Sequence, residues 1–313
     1  MKVVDRGREL GTSYEVELIV REGEEERARQ GLQAARDECH RLELILSEWR
    51  DDSEISRLNQ EAAHRPVPVS DLVDRLLTGA LQVARATGGT FDFTWAPLGV
   101  LWDEAERRGR LPEDDELAQA RELIGFDKVS LRGGVVRFER AGVRIGVASF
   151  AKGWIIDALF HQLRRAGFTD VIVNIGGDLR VRGRDAAGEP QAFDVLDPYR
   201  PTRAAAKLGV VDGSLATSGN YFRVRRIGGK PYGHLFDPAT GRPPAFDGSV
   251  TVLAEDAAMA DAIATALFVM GPERGMAFAR QVPGLEALYV DRSGLVATDG
   301  LGARLLAVEG ARR

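Results

Sequence analysis

The sequence predicts an α+β fold, and two observations carry that prediction. Alternating strand-like runs and helical periodicities are intermixed along all 313 residues, without the regular strand–helix alternation of a parallel sheet. Glycine pairs at Gly133-Gly134 and Gly228-Gly229 separate short alternating runs as hairpin turns, which join antiparallel strands. No repeat, low-complexity tract or flexible linker divides the chain, so residues 1–313 read as one domain with a core at about 8–308.

The elements follow in order. From Gly11 to Arg21, Tyr14, Val16, Leu18 and Val20 share one face of a strand, and Gly23 turns the chain. Glu24 to Leu46 is helical, and Asp52 to Asn59 forms a short helical turn after a polar break. Ser70 caps a helix through about Thr87 that Gly88-Gly89 terminate. Aromatics then cluster from Phe91 to Trp102, the composition of a core corner. Arg107 to Arg121 reads as a solvated peripheral helix with Pro112 at a turn. Lys128 to Arg137 is the first glycine-closed hairpin.

A strand is expected to end near Val147, with Ser149 capping an amphipathic helix that runs to Gly167. Lys152 falls in its first turn, where a cation opposes the helix dipole. Either an anion such as phosphate lies between Lys152 and the free N–H groups, or the lysine is merely solvated. Val171 to Val173 is a buried strand that breaks at Asn174-Ile175-Gly176-Gly177-Asp178, and Phe193 and Val195 belong to another ending at Asp197-Pro198. Thr217 and Ser218 precede the second hairpin, whose two-residue turn sets Arg223 opposite His234 and Tyr221 opposite Phe236. His234, near Thr217, Ser218 and Asp237, fits a structural or a functional role equally.

The stretch Ser249 to Gly271 combines a Val250–Val252–Ala254 strand with a helix apolar nearly all round. That helix nevertheless carries Asp261 and Thr265, stacked on one face. A buried carboxylate is costly unless it meets a cation or several donors. Hard oxygens at this spacing suit Mg²⁺; a satisfied Asp with Thr265 bonded back to its own helix is the competing reading.

A net charge of −5, with no basic stripe, argues against nucleic acid. Cys39 is the single cysteine, so no intrachain disulfide is expected, and the adjacent Cys39-His40 pair is read as structural. No apolar run reaches transmembrane length, and no signal segment is visible; as written the chain is expected in the cytoplasm, or in the periplasm or anchored to a membrane if an export segment is missing. Neither a P-loop, GxGxxG, HExxH nor a nucleophile elbow stands in its required context.

In this order, DSEISRLN, FD…PL…LW, AKGWIID, NIGGD, ATSGNYFR, HLFDPATGRP and ADAIATALFVMG resemble the ApbE family of FAD:protein FMN transferases. The resemblance implies two intertwined lobes of mixed or antiparallel sheet around a central FAD cleft. It further implies Mg²⁺-dependent transfer of FMN from FAD to a threonine or serine of an acceptor protein, with release of AMP. By resemblance Asp261, Thr265 and an oxygen of Ser149 hold the metal, and His234 and Asp261 serve the reaction. Leu10, Trp49, Thr90, Phe91, Asp92, Lys152, Thr217, Ser218, His234 and Ala258 take cofactor positions. Gly146 stands where the family commonly has an acidic residue, Leu10 where methionine is frequent, and Ala148-Ser149 replace a glycine pair. FAD hydrolysis to FMN and AMP, and a non-catalytic flavin-binding scaffold, are the alternative functions.

Overall fold

A computed structural model describes residues 1–220 and 224–308. In chain order the strands are β1 (Lys2–Glu9), β2 (Thr12–Ile19), β3 (Val67–Pro68), β4 (Val129–Arg132), β5 (Val135–Phe138), β6 (Asp170–Ile175), β7 (Asp178–Arg182) and β8 (Gln191–Asp197). They continue with β9 (Arg200–Val210), β10 (Asp212–Gly219), β11 (Val224–Ile227), β12 (Lys230–Gly233), β13 (Ser249–Ala254), β14 (Glu286–Asp291), β15 (Gly294–Ala297) and β16 (Leu305–Val308). The helices are α1 (Glu25–Leu46), α2 (Glu54–Glu61), α3 (Asp71–Ala86), α4 (Ala96–Arg108), α5 (Asp114–Arg121), α6 (Ala151–Arg165), α7 (Ala257–Gln281) and the single turn α8 (Asp299–Gly302).

An eight-stranded sheet in the order β1-β2-β6-β7-β10-β13-β14-β15 forms the centre, and all its described pairings are antiparallel. Strand alternation sends side chains to two different cores. Val16, Leu18, Val173, Val250, Val252 and Ala287 face α1, α3, α6 and α7. Ile172, Val181, Leu215, Leu253 and Leu288 face the opposite way, onto the three-stranded sheet β16-β9-β8. A third cluster joins Leu98, Trp102, Leu117 and Phe236, packing α4 and α5 beside the separate β11–β12 hairpin. This is the α+β architecture expected from the sequence.

Local signals account for much of it. Ser53 and Ser70 accept hydrogen bonds from Ser56 N and Val73 N, capping α2 and α3. The Gly133-Gly134 and Gly228-Gly229 turns both close two-residue hairpins with positive φ.

Several expectations are corrected. No strand ends at Val147: Gly146 N donates to Phe93 O and Val147 N to the Glu48 carboxylate, leaving no ladder, and Val147–Ser149 is a 3₁₀ turn. The helix expected over Arg107 to Arg121 is two, because Gly109 ends α4 at φ 69° and the chain restarts at a capping box on Glu113. The helix of the Ser249 to Gly271 stretch runs on beyond it: Gly271 is a kink within α7, where φ is 76° and Pro272 begins a second helical stretch. His234 lies one residue past β12 rather than on a strand. The pairings expected of Arg223 and Tyr221 fall outside the described residues. Among the described residues, no helix is long and apolar enough to cross a membrane.

Candidate active site

Two helices cross closely at Gly153. A Cβ there would stand 2.2 Å from Ala257 O and 2.8 Å from Asp261 Cβ, so only glycine lets α6 approach α7 this nearly. The same approach brings Gly153 N within 2.9 Å of Asp261 Oδ2, to which it donates. Lys152, in the first turn of α6, places its ammonium against Asp178 Oδ2 and 4.0 Å from Asp261 Oδ1. Asp178 Oδ1 accepts from Thr217 N at 3.0 Å. Lys152, Asp178, Asp261 and the backbone of Thr217 thus meet where α6, α7, β7 and β10 converge. The protein's own carboxylates stand beside Lys152, which corrects the simple solvated-lysine reading.

Burial pushes the Asp261 carboxyl above the usual carboxylate range; the Lys152 charge and the Gly153 N–H pull it back. Thr265 Oγ1 is bonded to Asp261 O at 3.4 Å, so the bond back to its own helix exists but is long. Ser149 does not cap α6: the cap position belongs to Phe150, no side chain caps it, and the 3₁₀ turn leaves Ser149 one residue too early. Its Oγ is buried with no hydrogen-bond partner among the described residues, on a turn that packs against α7. A carboxylate, a weakly engaged hydroxyl and an orphaned buried hydroxyl are hard oxygen donors of the kind Mg²⁺ takes.

The first turn of α7 has a different occupant. Asp157, from α6, accepts from Ala257 N at 3.0 Å and from Ala258 N at 2.9 Å. Arg180 ties Asp157 to Asp256, at 2.6 and 3.0 Å, and lies over the Phe160 ring. Burial raises the Asp157 carboxyl, opposed by those N–H groups and by Arg180. Ala258, expected at a cofactor position, thus has its amide bonded within the protein.

The remaining candidates stand on other elements. Leu10 holds φ 53° in the β1–β2 turn, and Trp49 is 73% exposed after α1. Thr90 is half-buried, whereas Phe91 is buried edge-on against Phe150. Asp92 is buried and accepts from Thr94 N, Thr94 Oγ1 and Phe126 N, so its side chain organises this corner of the core. Thr217 Oγ1 bonds Thr251 Oγ1 at 2.8 Å, Ser218 is paired opposite Val250, and His234 is half-buried.

Gly146 has a local explanation. A Cβ there would lie 2.5 Å from the Trp95 ring, whose Nε1 donates to Gly146 O at 2.9 Å. A carboxylate does stand close by: Glu48, raised by burial, accepts from Val147 N at 2.7 Å. The sequence reading missed Gly153, Asp178 as the lysine's partner, and the Asp157–Arg180 pair. The only available signal for Asp178 was its place in the NIGGD run.

The comparisons agree with this architecture. The ApbE family model matches residues 10–289. The FAD:protein FMN transferase of Vibrio cholerae is 32% identical over 91% of this chain and 87% of its own length. That of Treponema pallidum is 34% identical over 79% of this chain and 73% of its own. Among solved structures, the flavin transferase ApbE of Vibrio cholerae superposes with TM-score 0.84 at 29% identity, covering 97% of this chain and 99% of that one. The ApbE protein of Thermotoga maritima gives 0.87 at 26% identity, covering 97% and 99%. On a family match spanning most of its length and a relative above 30% identity across nine-tenths of it, this chain belongs to the ApbE family.

Proposed function

We propose that this protein transfers the FMN moiety of FAD to a threonine or serine hydroxyl of an acceptor protein and releases AMP. The names of its relatives support the reaction class, and one observation supports its location: the half-buried Lys152 between the buried carboxylates of Asp178 and Asp261 at the α6–α7 crossing. Asp261 and Thr265, with an oxygen of Ser149, would hold Mg²⁺. When bound, the metal supplies charge neutralisation to the FAD pyrophosphate.

The residues of the chain do the rest. Lys152 binds and orients phosphate oxygens. His234 takes the proton of the acceptor hydroxyl as that oxygen attacks the FMN-side phosphorus; the bond to the AMP oxygen breaks, and AMP leaves. Leu10, Trp49, Thr90, Phe91, Thr217 and Ser218 are the proposed lining of the nucleotide, with Asp92 shaping it from behind through the bonds it accepts.

Incubation with FAD and Mg²⁺, with and without a candidate acceptor domain, tests the reading. AMP together with a flavin mass adduct on the acceptor supports it. AMP with free FMN alone makes the protein a hydrolase, and neither product makes it a binding scaffold.

A further inference from the structure

Asp178 is buried, lies outside the proposed chemistry, and is the closer of two carboxylates around one ammonium. Resting on the function proposed above, we infer that Asp178 is a positioning residue: it holds Lys152 away from Asp261 and so keeps Asp261 Oδ1 open to a divalent cation.

The geometry carries this inference in three steps. Lys152 Nζ touches Asp178 Oδ2 but stands 4.0 Å from Asp261 Oδ1, at the outer limit of an ion pair. Asp178 cannot easily swing away, because β7 fixes its backbone and its Oδ1 accepts from Thr217 N on the neighbouring strand. Asp261 is likewise pinned, its Oδ2 taking the Gly153 N–H and leaving Oδ1 toward the lysine. A lysine ammonium on a flexible stem can serve either carboxylate. With the Asp178 charge removed, Asp261 is the carboxylate of this pair that still faces the ammonium. A half-buried ammonium on a flexible stem still gains from such a partner, because the water it has lost no longer compensates its charge fully. The ammonium and a divalent cation then compete for the same oxygen.

Net charge alone also predicts that removing Asp178 weakens cation binding, so a double-mutant cycle is needed to separate the two causes. Mn²⁺ binding to the full chain is measured by electron paramagnetic resonance without FAD, in wild type, Asp178→Asn, Lys152→Met and the double variant. Positioning predicts at least tenfold weaker binding in Asp178→Asn and a change under threefold in Lys152→Met alone. The double variant returns to within threefold of wild type, so removing the lysine matters far more once Asp178 is gone. Thermal melts verify folding. Asp178→Ser, which retains an acceptor for Thr217 N, replaces Asp178→Asn in the cycle if the latter fails to fold. An additive cycle, or unchanged binding in the Asp178 variant, overturns the inference while leaving the proposed function standing. Absence of Mn²⁺ binding by wild type overturns the inference, and loss of metal-dependent AMP release as well removes the proposed function.

Discussion

Gly153→Ala probes the α6–α7 crossing with one methyl group. The new Cβ would lie 2.2 Å from Ala257 O and 2.6 Å from Ala257 C, both backbone atoms that no rotamer change can move. Ordinary C···O approach is about 3.3–3.6 Å, so the helices must separate by about 1 Å. Overpacking of this kind costs about 1–3 kcal/mol. The separation also weakens the 2.9 Å bond from Gly153 N to the Asp261 carboxylate, an interaction class worth about 1.5–3 kcal/mol. Against these stands the helix propensity of alanine over glycine, a gain of about 1 kcal/mol. The expected net loss is about 2–4 kcal/mol, read as a fall in Tm of about 4–8 °C. Equilibrium urea denaturation and calorimetry measure it, and metal-dependent AMP release should fall because Asp261 moves with the helix. A variant as stable as wild type would refute the close crossing, since propensity would then have outweighed a clash that did not exist.

Other outcomes follow from the same structure. Asp261→Ala is expected to abolish metal-dependent turnover while circular dichroism stays native; unchanged turnover removes the metal assignment. Gly146→Asp, which restores the family's common acidic type, should displace the Trp95 indole and cost about 1–3 kcal/mol; a thermal melt as high as wild type, with tighter FAD binding, would show that the indole yields freely. Burial pushes the Cys39 thiol up to about 12, so thiol reagents at pH 8 should label it only after denaturation. Because the folded thiol keeps its proton when the unfolded one has lost it, its contribution to stability declines as pH rises from the ordinary thiol range toward 12. Calorimetry of Cys39→Ala against wild type across that range checks the sign.

What the sequence disclosed was local. Ser70 and Gly88-Gly89 bracket α3 because capping uses groups within a turn of the helix end. The alternation in β2 and β13 is readable because each puts a row of apolar side chains toward the helices. By contrast β1, with Asp5, Arg6 and Arg8 along an exposed edge, offers no apolar row and is established only by pairing with β2. At the site, Lys152 was visible as a cation in the wrong turn, but its partner Asp178 arrives from a different strand. The Trp95 indole over Gly146 and the Asp157 carboxylate at Ala258 are equally non-local, and no periodicity encodes them.

The carboxylate seated on the first turn of α7 has a consequence for how any dinucleotide enters. Both helices begin there, and each first turn already carries a carboxylate from the other helix: Asp157, which Arg180 locks in place, on the α7 amides, and Asp261 on the Gly153 N–H of α6. What attraction the junction offers a diphosphate comes from Lys152, itself shared with Asp178, and from a cation held at Asp261. With both poles answered from within, the pull on the guest resides in side-chain and metal charge rather than in the helix ends.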